Sequence, residues 1–271
     1  MSTVDKAPRR RLGFRRRRDP RSAPDAMTVM EHLVELRDRI IKSLVAFALI
    51  SVVAFIVYPY LFDIVLRPYC SLPEELKRGT QGCNLVITKA TGGFQFRLKV
   101  TALAGFLFAS PVWLYQLWAF VTPGLTLKEK RYALPFVLSS VTFFLVGSTI
   151  AYLALPGALS LLLRIGGPDL IAFLDAESYL NFVGLMLIAF GVMFELPLVL
   201  FFLGLGGIVS IEQLRHQRKV AIVSIVALAA VVTPSQDPYT MMILAVPLYV
   251  MYELTIVLLS IMMRRRARAT V

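Results

Sequence analysis

Charge is missing where a soluble protein would need it. From Ser178 to Ile211 the chain carries one acidic or basic side chain, Glu195, set in the run FGVMFELPLVLFF, and comparable apolar stretches recur elsewhere. With 57% hydrophobic residues and a mean hydropathy of +0.70, an ordinary soluble domain is excluded and the bilayer becomes the solvent. Histidine is almost absent as well: His32 and His216 stand apart from each other and from both cysteines, so a zinc centre has no support and no metal is expected. There is no HExxH, no G-x-S-x-G and no phosphate-binding glycine loop. An enzyme would have to rest on scattered carboxylates, and neither catalysis nor a cofactor is expected.

What is present is organised by the apolar runs. Six of them, at about 40–58, 94–121, 133–155, 179–205, 219–233 and 239–262, are separated by polar or Pro/Gly-containing breaks. The expected fold is an all-α membrane protein of six transmembrane helices, and an even number puts both termini on one side. If that side is the cytoplasm, 22 of the 29 Lys and Arg residues fall in the N-terminal region, the 122–131 and 206–219 loops and the C-terminus, which the positive-inside rule requires. The expected division is a disordered basic tail over 1–27, a membrane domain over 28–263 and a second basic tail over 264–271. The net charge of +12 thus reports orientation and attraction to anionic lipid headgroups, and nucleic acid is not expected as a partner. Residues 1–26, with Arg9–Arg11 and Arg15–Arg18, lack the apolar core of a cleavable secretory signal, and Met27 is a second candidate start.

The only cysteines, Cys70 and Cys83, lie in the outer connection between the first two spans. In an oxidising exterior a disulfide is the expected reading, with two free thiols as the competing one. The fifth span is short for a hydrocarbon core of about 30 Å, so thinning or coverage by another protein has to absorb the mismatch.

Several residues stand out against blander readings. An acid as deep as Glu195 must face protein or a wet cavity, and it is either functional or a neutral carboxyl bonded to a neighbouring helix. Ahead of the first span, MEHLVELRDRIIK (30–42) has an apolar stripe at Leu33, Leu36 and Ile40, with Glu31, Glu35 and Asp38 on another face, and reads as an interfacial helix. Glu35 and Arg39 have i,i+4 spacing, whereas Glu31 and Glu35 repel. This acidic patch on a basic surface is either a solvated face or a docking point for guanidinium groups. Pro111 should kink the second span, Gln116 needs a partner, and Trp113, Tyr115, Trp118 and Phe120 fit an aromatic belt. Glu129, between Lys128 and Lys130, is at its blandest a neutralised surface triplet. Asp237 reads as a cap for the last helix, and Glu253 as an acid able to snorkel to the headgroups.

As an ordered set, His32-Leu33-Val34-Glu35-Leu36-Arg37-Asp38-Arg39, Ser110-Pro111 through Trp118-Ala119-Phe120, and Ala189 through Pro197 resemble the TatC family, the polytopic subunit of the twin-arginine protein translocase. The resemblance covers residues 28–262. It implies a concave, glove-like bundle of six helices in the bacterial inner membrane that receives the twin-arginine signal peptides of folded proteins. By matching position, Glu35 and Glu129 would take the arginines, with Arg37 and Phe120 in the same motif segments. Glu195 would be the acid inside the bundle, Pro68 the proline of the first outer loop and Asp237 the acid of the last outer turn. The implied partners are TatA- and TatB-type single-span subunits and further copies of the chain, with export driven by the proton gradient. The last outer turn is one residue longer than the family pattern, and the basic N-terminal extension and the disulfide lie outside it. The alternative is a proton- or ion-coupled small-molecule transporter using Glu195, but no internal repeat of the kind such folds show is found. An intramembrane hydrolase lacks a nucleophile and base at usable spacing.

Overall fold

A computed structural model describes residues 29–77, 83–121, 133–165, 174–233 and 237–269. Its helices are α1 (Val29–Ile56), α2 (Tyr58–Cys70), α3 (Gly92–Phe108), α4 (Ser110–Val121), α5 (Ala133–Ile165), α6 (Ala176–Met193), α7 (Leu196–Leu205), α8 (Ile211–His216), α9 (Arg218–Val232) and α10 (Pro238–Ala269), with a 3-10 turn at Glu74–Lys77. Among the described residues the only β pairing is one isolated bridge between Val86 and Asp175. Helices suit a lipid solvent because they satisfy their backbone donors and acceptors within one segment.

Four segments are long and apolar enough to cross a membrane: Met30–Ile56, Leu134–Ile165, Ala176–Leu205 and Pro238–Met263. The bent pair α3–α4 makes a fifth, and α9, at 15 residues, reaches only about 22 Å. The segment expected as a short fifth span forms the helix α9, which is too short to count among the candidate membrane-crossing helices.

Several boundaries differ from expectation, each for a physical reason. The 30–42 segment is no separate interfacial helix. It runs straight into the first span, because no Gly or Pro interrupts residues 29–56. The second span bends by 53° at Ala109, where Pro111 has no N–H to give and the amides of Val112 and Trp113 both turn to the Ala109 carbonyl. The third span passes beyond residue 155 through Pro156 and Gly157, because Ala151, Ala154, Leu155, Ala158 and Leu159 are all buried and packing holds the helix together. The fourth breaks between α6 and α7 at Phe194–Glu195, where Pro197 enters the first turn of α7. The sequence reading had placed loop where α2 forms. Leu66, Pro68 and Tyr69 bury one face of this helix against the bundle.

The main core lies where α5 packs along α6, with Phe144, Phe190 and Phe194 fully buried. Gly191 permits that approach: a Cβ there would lie 2.7 Å from both Phe144 Cε2 and Ser148 Oγ. The helix α1 is the least covered, and Leu44, Leu49, Val52 and Ile56 point outward as a lipid-facing surface would. At the far end from the α1 N-terminus, Cys70 and Cys83 form the expected disulfide. Lys77, buried beside it, donates to the Cys70 carbonyl at 3.0 Å and to Glu74 Oε1 at 2.9 Å. Tyr152 and Tyr179 donate to the α2 carbonyls of Ile64 and Val65 at 2.7 and 2.6 Å, which ties α2 to the bundle.

Candidate functional site

Glu35 lies one turn before Arg39 on α1, so the i,i+4 geometry brings their side chains together. Both guanidinium nitrogens Nε and Nη2 of Arg39 donate to Glu35 Oε1, the first at 3.0 Å. Arg39 Nη1 also donates across to Gln116 Oε1 on α4 at 3.3 Å, which gives Gln116 the partner it needs. Near the start of α1, His32 stacks on Phe120 with ring centroids 4.2 Å apart and planes at 14°. His32 Nδ1 is 3.9 Å from Glu35 Oε2, an ion-pair distance for a protonated imidazole but beyond hydrogen-bond reach. Oε2 itself is buried without a hydrogen-bond partner among the described residues. The carboxylate therefore holds one guanidinium through Oε1 and keeps an unsatisfied acceptor in Oε2. Alongside runs an apolar groove of about 480 Å³ between α1 and the α3–α4 bend, lined by Leu36, Ile40, Phe47, Phe106, Trp113 and Leu117 among others.

Glu195 occupies the break between α6 and α7, partly buried. Ser140 on α5 donates to its Oε2 at 2.6 Å, and Trp118 on α4 donates its indole N–H to Ser140 Oγ at 2.9 Å. The carboxyl is thus bonded to a neighbouring helix through one oxygen, as its blander reading required. The other oxygen, Oε1, is buried without a hydrogen-bond partner among the described residues.

The remaining candidates are spread out. Arg37 is exposed and pairs with Asp38 at 3.0 Å, away from Glu35. Pro68 is buried within α2, on the disulfide side of the molecule. Asp237 is buried and caps α10, accepting from the Thr240 N–H at 2.9 Å and its hydroxyl at 2.6 Å. Glu129 lies outside the described residues. Glu253 does not simply snorkel: it accepts from Arg218 of α9 at 2.7 Å and from Tyr249 at 3.1 Å. The sequence reading missed the contacts of His32 and Arg39 with α4, and also Ser140. An i,i+4 acid–arginine pair hinted at the Arg39 contact to Glu35, but nothing local marked Ser140.

Outside the membrane helices, Asp175 starts α6 as its N-cap. The Ser178 N–H holds its carboxyl below the usual aspartate range, helped by the Thr88 hydroxyl and opposed by burial. Lys89 is raised by its hydrogen bond to Glu177.

Apolar helices of span length, a guanidinium-bearing acid at the start of the first of them and a second acid within the bundle define a multi-pass helical membrane protein. The family model described as Sec-independent protein translocase protein (TatC) matches residues 31–247. The chain is 43% identical over 267 residues to the Sec-independent protein translocase protein TatC of Frankia casuarinae, covering 96% of this chain and 73% of that one. It is 36% identical over 243 residues to the protein of the same name from Aquifex aeolicus, covering 89% and 98%. A crystal structure of the twin arginine translocase receptor TatC, in DDM, superposes with a TM-score of 0.69 at 36% identity, over 84% of this chain and 99% of the other. The chain belongs to the TatC family, whose proteins carry the name of a protein translocase.

Proposed function

We propose that the chain is the receptor and core subunit of a twin-arginine translocation system, binding the twin-arginine signal peptides of folded proteins at the cytoplasmic face and organising their export by the proton-motive force. The observation that carries this is Glu35: a carboxylate in a strongly basic protein, half-occupied by the chain's own guanidinium, with a buried oxygen left to accept. Glu129 is the second acceptor, so that two carboxylates distant in sequence discriminate two arginines, with Phe120, stacked on His32, and Arg37 as further contributors. Glu195 serves within the membrane, and Pro68, inside α2, and Asp237, the cap of α10, support the outer side.

In this reading the chain crosses the bacterial inner membrane six times as a concave bundle, with α9 as the short crossing and both termini cytoplasmic. The basic tails over 1–27 and 264–271 meet anionic lipid. The partners are TatA- and TatB-type single-span subunits and other copies of the chain. Exposed Val220, Val223 and Val231 on α9 make that helix the place for a partner helix to pack. Cysteine pairs between α9 and a TatB-type helix should bridge on oxidation, and none bridging across a full scan would remove that contact. Membership of the TatC family does not favour the small-molecule transporter.

The deciding experiment is a titration of the detergent-solubilised chain with a twin-arginine peptide and its twin-lysine counterpart. Binding of the first and loss with the second is expected, since Lys lacks the planar fork. Equal binding of both, or of neither, would remove the receptor assignment.

A further inference from the structure

The helix α4 reaches each acid through an intermediary, Glu35 through Arg39 and Glu195 through Ser140. Gln116 and Phe120 are four residues apart and share a face, which meets Arg39 and His32 of α1. Trp118 lies two residues from each, roughly 200° around the helix, and so faces the other way. There its ring stands edge-on to Phe136 of α5, with centroids 4.4 Å apart and planes at 88°, and beside Phe202 of α7 at 5.9 Å. Trp118 is 6% exposed and Ser140 0%.

The direction of the hydrogen bonds follows from the donor inventory. An indole N–H only donates, so Ser140 Oγ must accept from Trp118. The single hydroxyl proton of Ser140 then goes to Glu195 Oε2, with no other acceptor recorded for it among the described residues. Oε2 is thereby an acceptor. A proton resident on the carboxyl sits on Oε1, the oxygen without a partner, and in the ionised carboxylate Oε1 is the acceptor left for a donor that reaches it. A water-sealed pair imposing one orientation on a carboxyl does what outer partners of functional groups do elsewhere: it selects which atom is available.

We propose that Trp118 and Ser140 are positioning residues for Glu195, and that α4, held by Gln116 and Phe120 on its opposite face, links the setting of that carboxyl to the state of Glu35. The inference rests on the proposed roles of those two acids and adds the physical connection between them. An arginine arriving at Oε2 of Glu35 brings a second positive charge beside Arg39 and repels it, and Arg39 is the side chain that holds Gln116. Its displacement loosens α4 on the α1 side. Because α4 is a 12-residue helix set off from α3 by a bend, it moves as a unit and takes the Trp118 N–H with it. Ser140 then loses the donor that directs its proton, and the Glu195 carboxyl is free to turn.

The test is read on the free, full-length protein in detergent. The infrared C=O band of Glu195, at a pH low enough to protonate it and assigned by its loss in Glu195→Gln, should move to higher wavenumber in Ser140→Ala. It should return in Ser140→Thr, which restores the hydroxyl, and shift in Trp118→Phe, which keeps the ring and loses the N–H. The chain has two tryptophans, so Trp113→Phe leaves Trp118 as the sole tryptophan, excited selectively at the red edge of the absorption band. In that background Glu35→Gln, which loosens the hold on Arg39, should shift the Trp118 emission with no peptide present. A band unmoved in both Ser140→Ala and Trp118→Phe would overturn the positioning role, and unaltered emission in Glu35→Gln would overturn the link through α4. Failure of the receptor reading shows up separately, as absent peptide binding, which neither spectrum measures.

Discussion

Replacing Glu35 with Gln keeps the shape of the side chain and removes its charge, and the effect on arginine-peptide binding follows from which oxygens are free. Oε1 already receives two N–H groups from Arg39, so Gln must turn its carbonyl oxygen toward Arg39 and place its NH2 where Oε2 was. An incoming guanidinium then meets a donor instead of an acceptor. Hydrogen bonds to charged groups contribute about 1.5–3 kcal/mol. Glu35 is 21% exposed, so solvent screens this one only in part. At a factor of ten per 1.4 kcal/mol the expected loss is roughly 10- to 150-fold, and the donor-to-donor clash places it toward the upper end. Calorimetric titration of a twin-arginine peptide against wild type and Glu35→Gln in the same detergent measures it. Repeating the pair with one peptide arginine changed to Gln closes a double-mutant cycle, in which the two losses should fall short of additive. A loss below about threefold, outside the range a hydrogen bond to a charged group contributes, would refute the reasoning that Oε2 is the open acceptor.

Other outcomes follow from packing and covalent structure. Gly191→Ala places a methyl 2.7 Å from Phe144 and Ser148 at the α5–α6 contact and should destabilise by about 1–3 kcal/mol; an unchanged thermal midpoint in detergent would mean that this contact yields. Cys70→Ser/Cys83→Ser opens a loop of 13 residues' separation and should cost about 3 kcal/mol in the loop-entropy model, measured as a lower midpoint matched by reductant on wild type. The carboxyl of Asp175 is depressed, so its stabilisation is present above the ordinary aspartate value, about 3.9, and is lost as pH falls through the lower folded value. Asp175→Asn should therefore be less stable than wild type at neutral pH with the gap closing in acid, and a gap independent of pH would contradict this.

Much of the architecture was legible because a bilayer imposes simple local rules. Uncharged runs of span length, the bend before Pro111, the short α9, the pairing of two cysteines in one loop and the cap at Asp237 each follow from residues close in sequence. The misjudged boundaries share a cause. Pro156 lies just past the expected end of the third span and Pro197 inside the expected fourth, yet the helix continues through the first and is interrupted just ahead of the second, because burial of the neighbouring residues decides whether a helix survives a missing N–H. The helix α2 was missed because its apolar face has meaning only against α3 and α5.

The amino-acid order by itself determined that this chain lives in a membrane, where its apolar segments run and which acids are out of place, since each of those is a matter of composition and spacing along one segment. Only the tertiary structure decided what those acids touch. Gln116 meets Arg39 across 77 residues and Ser140 meets Glu195 across 55, through helix crossings. Periodicity assigns a residue to a face of its own helix, but the crossing geometry of packed helices chooses which side chain it meets on the next.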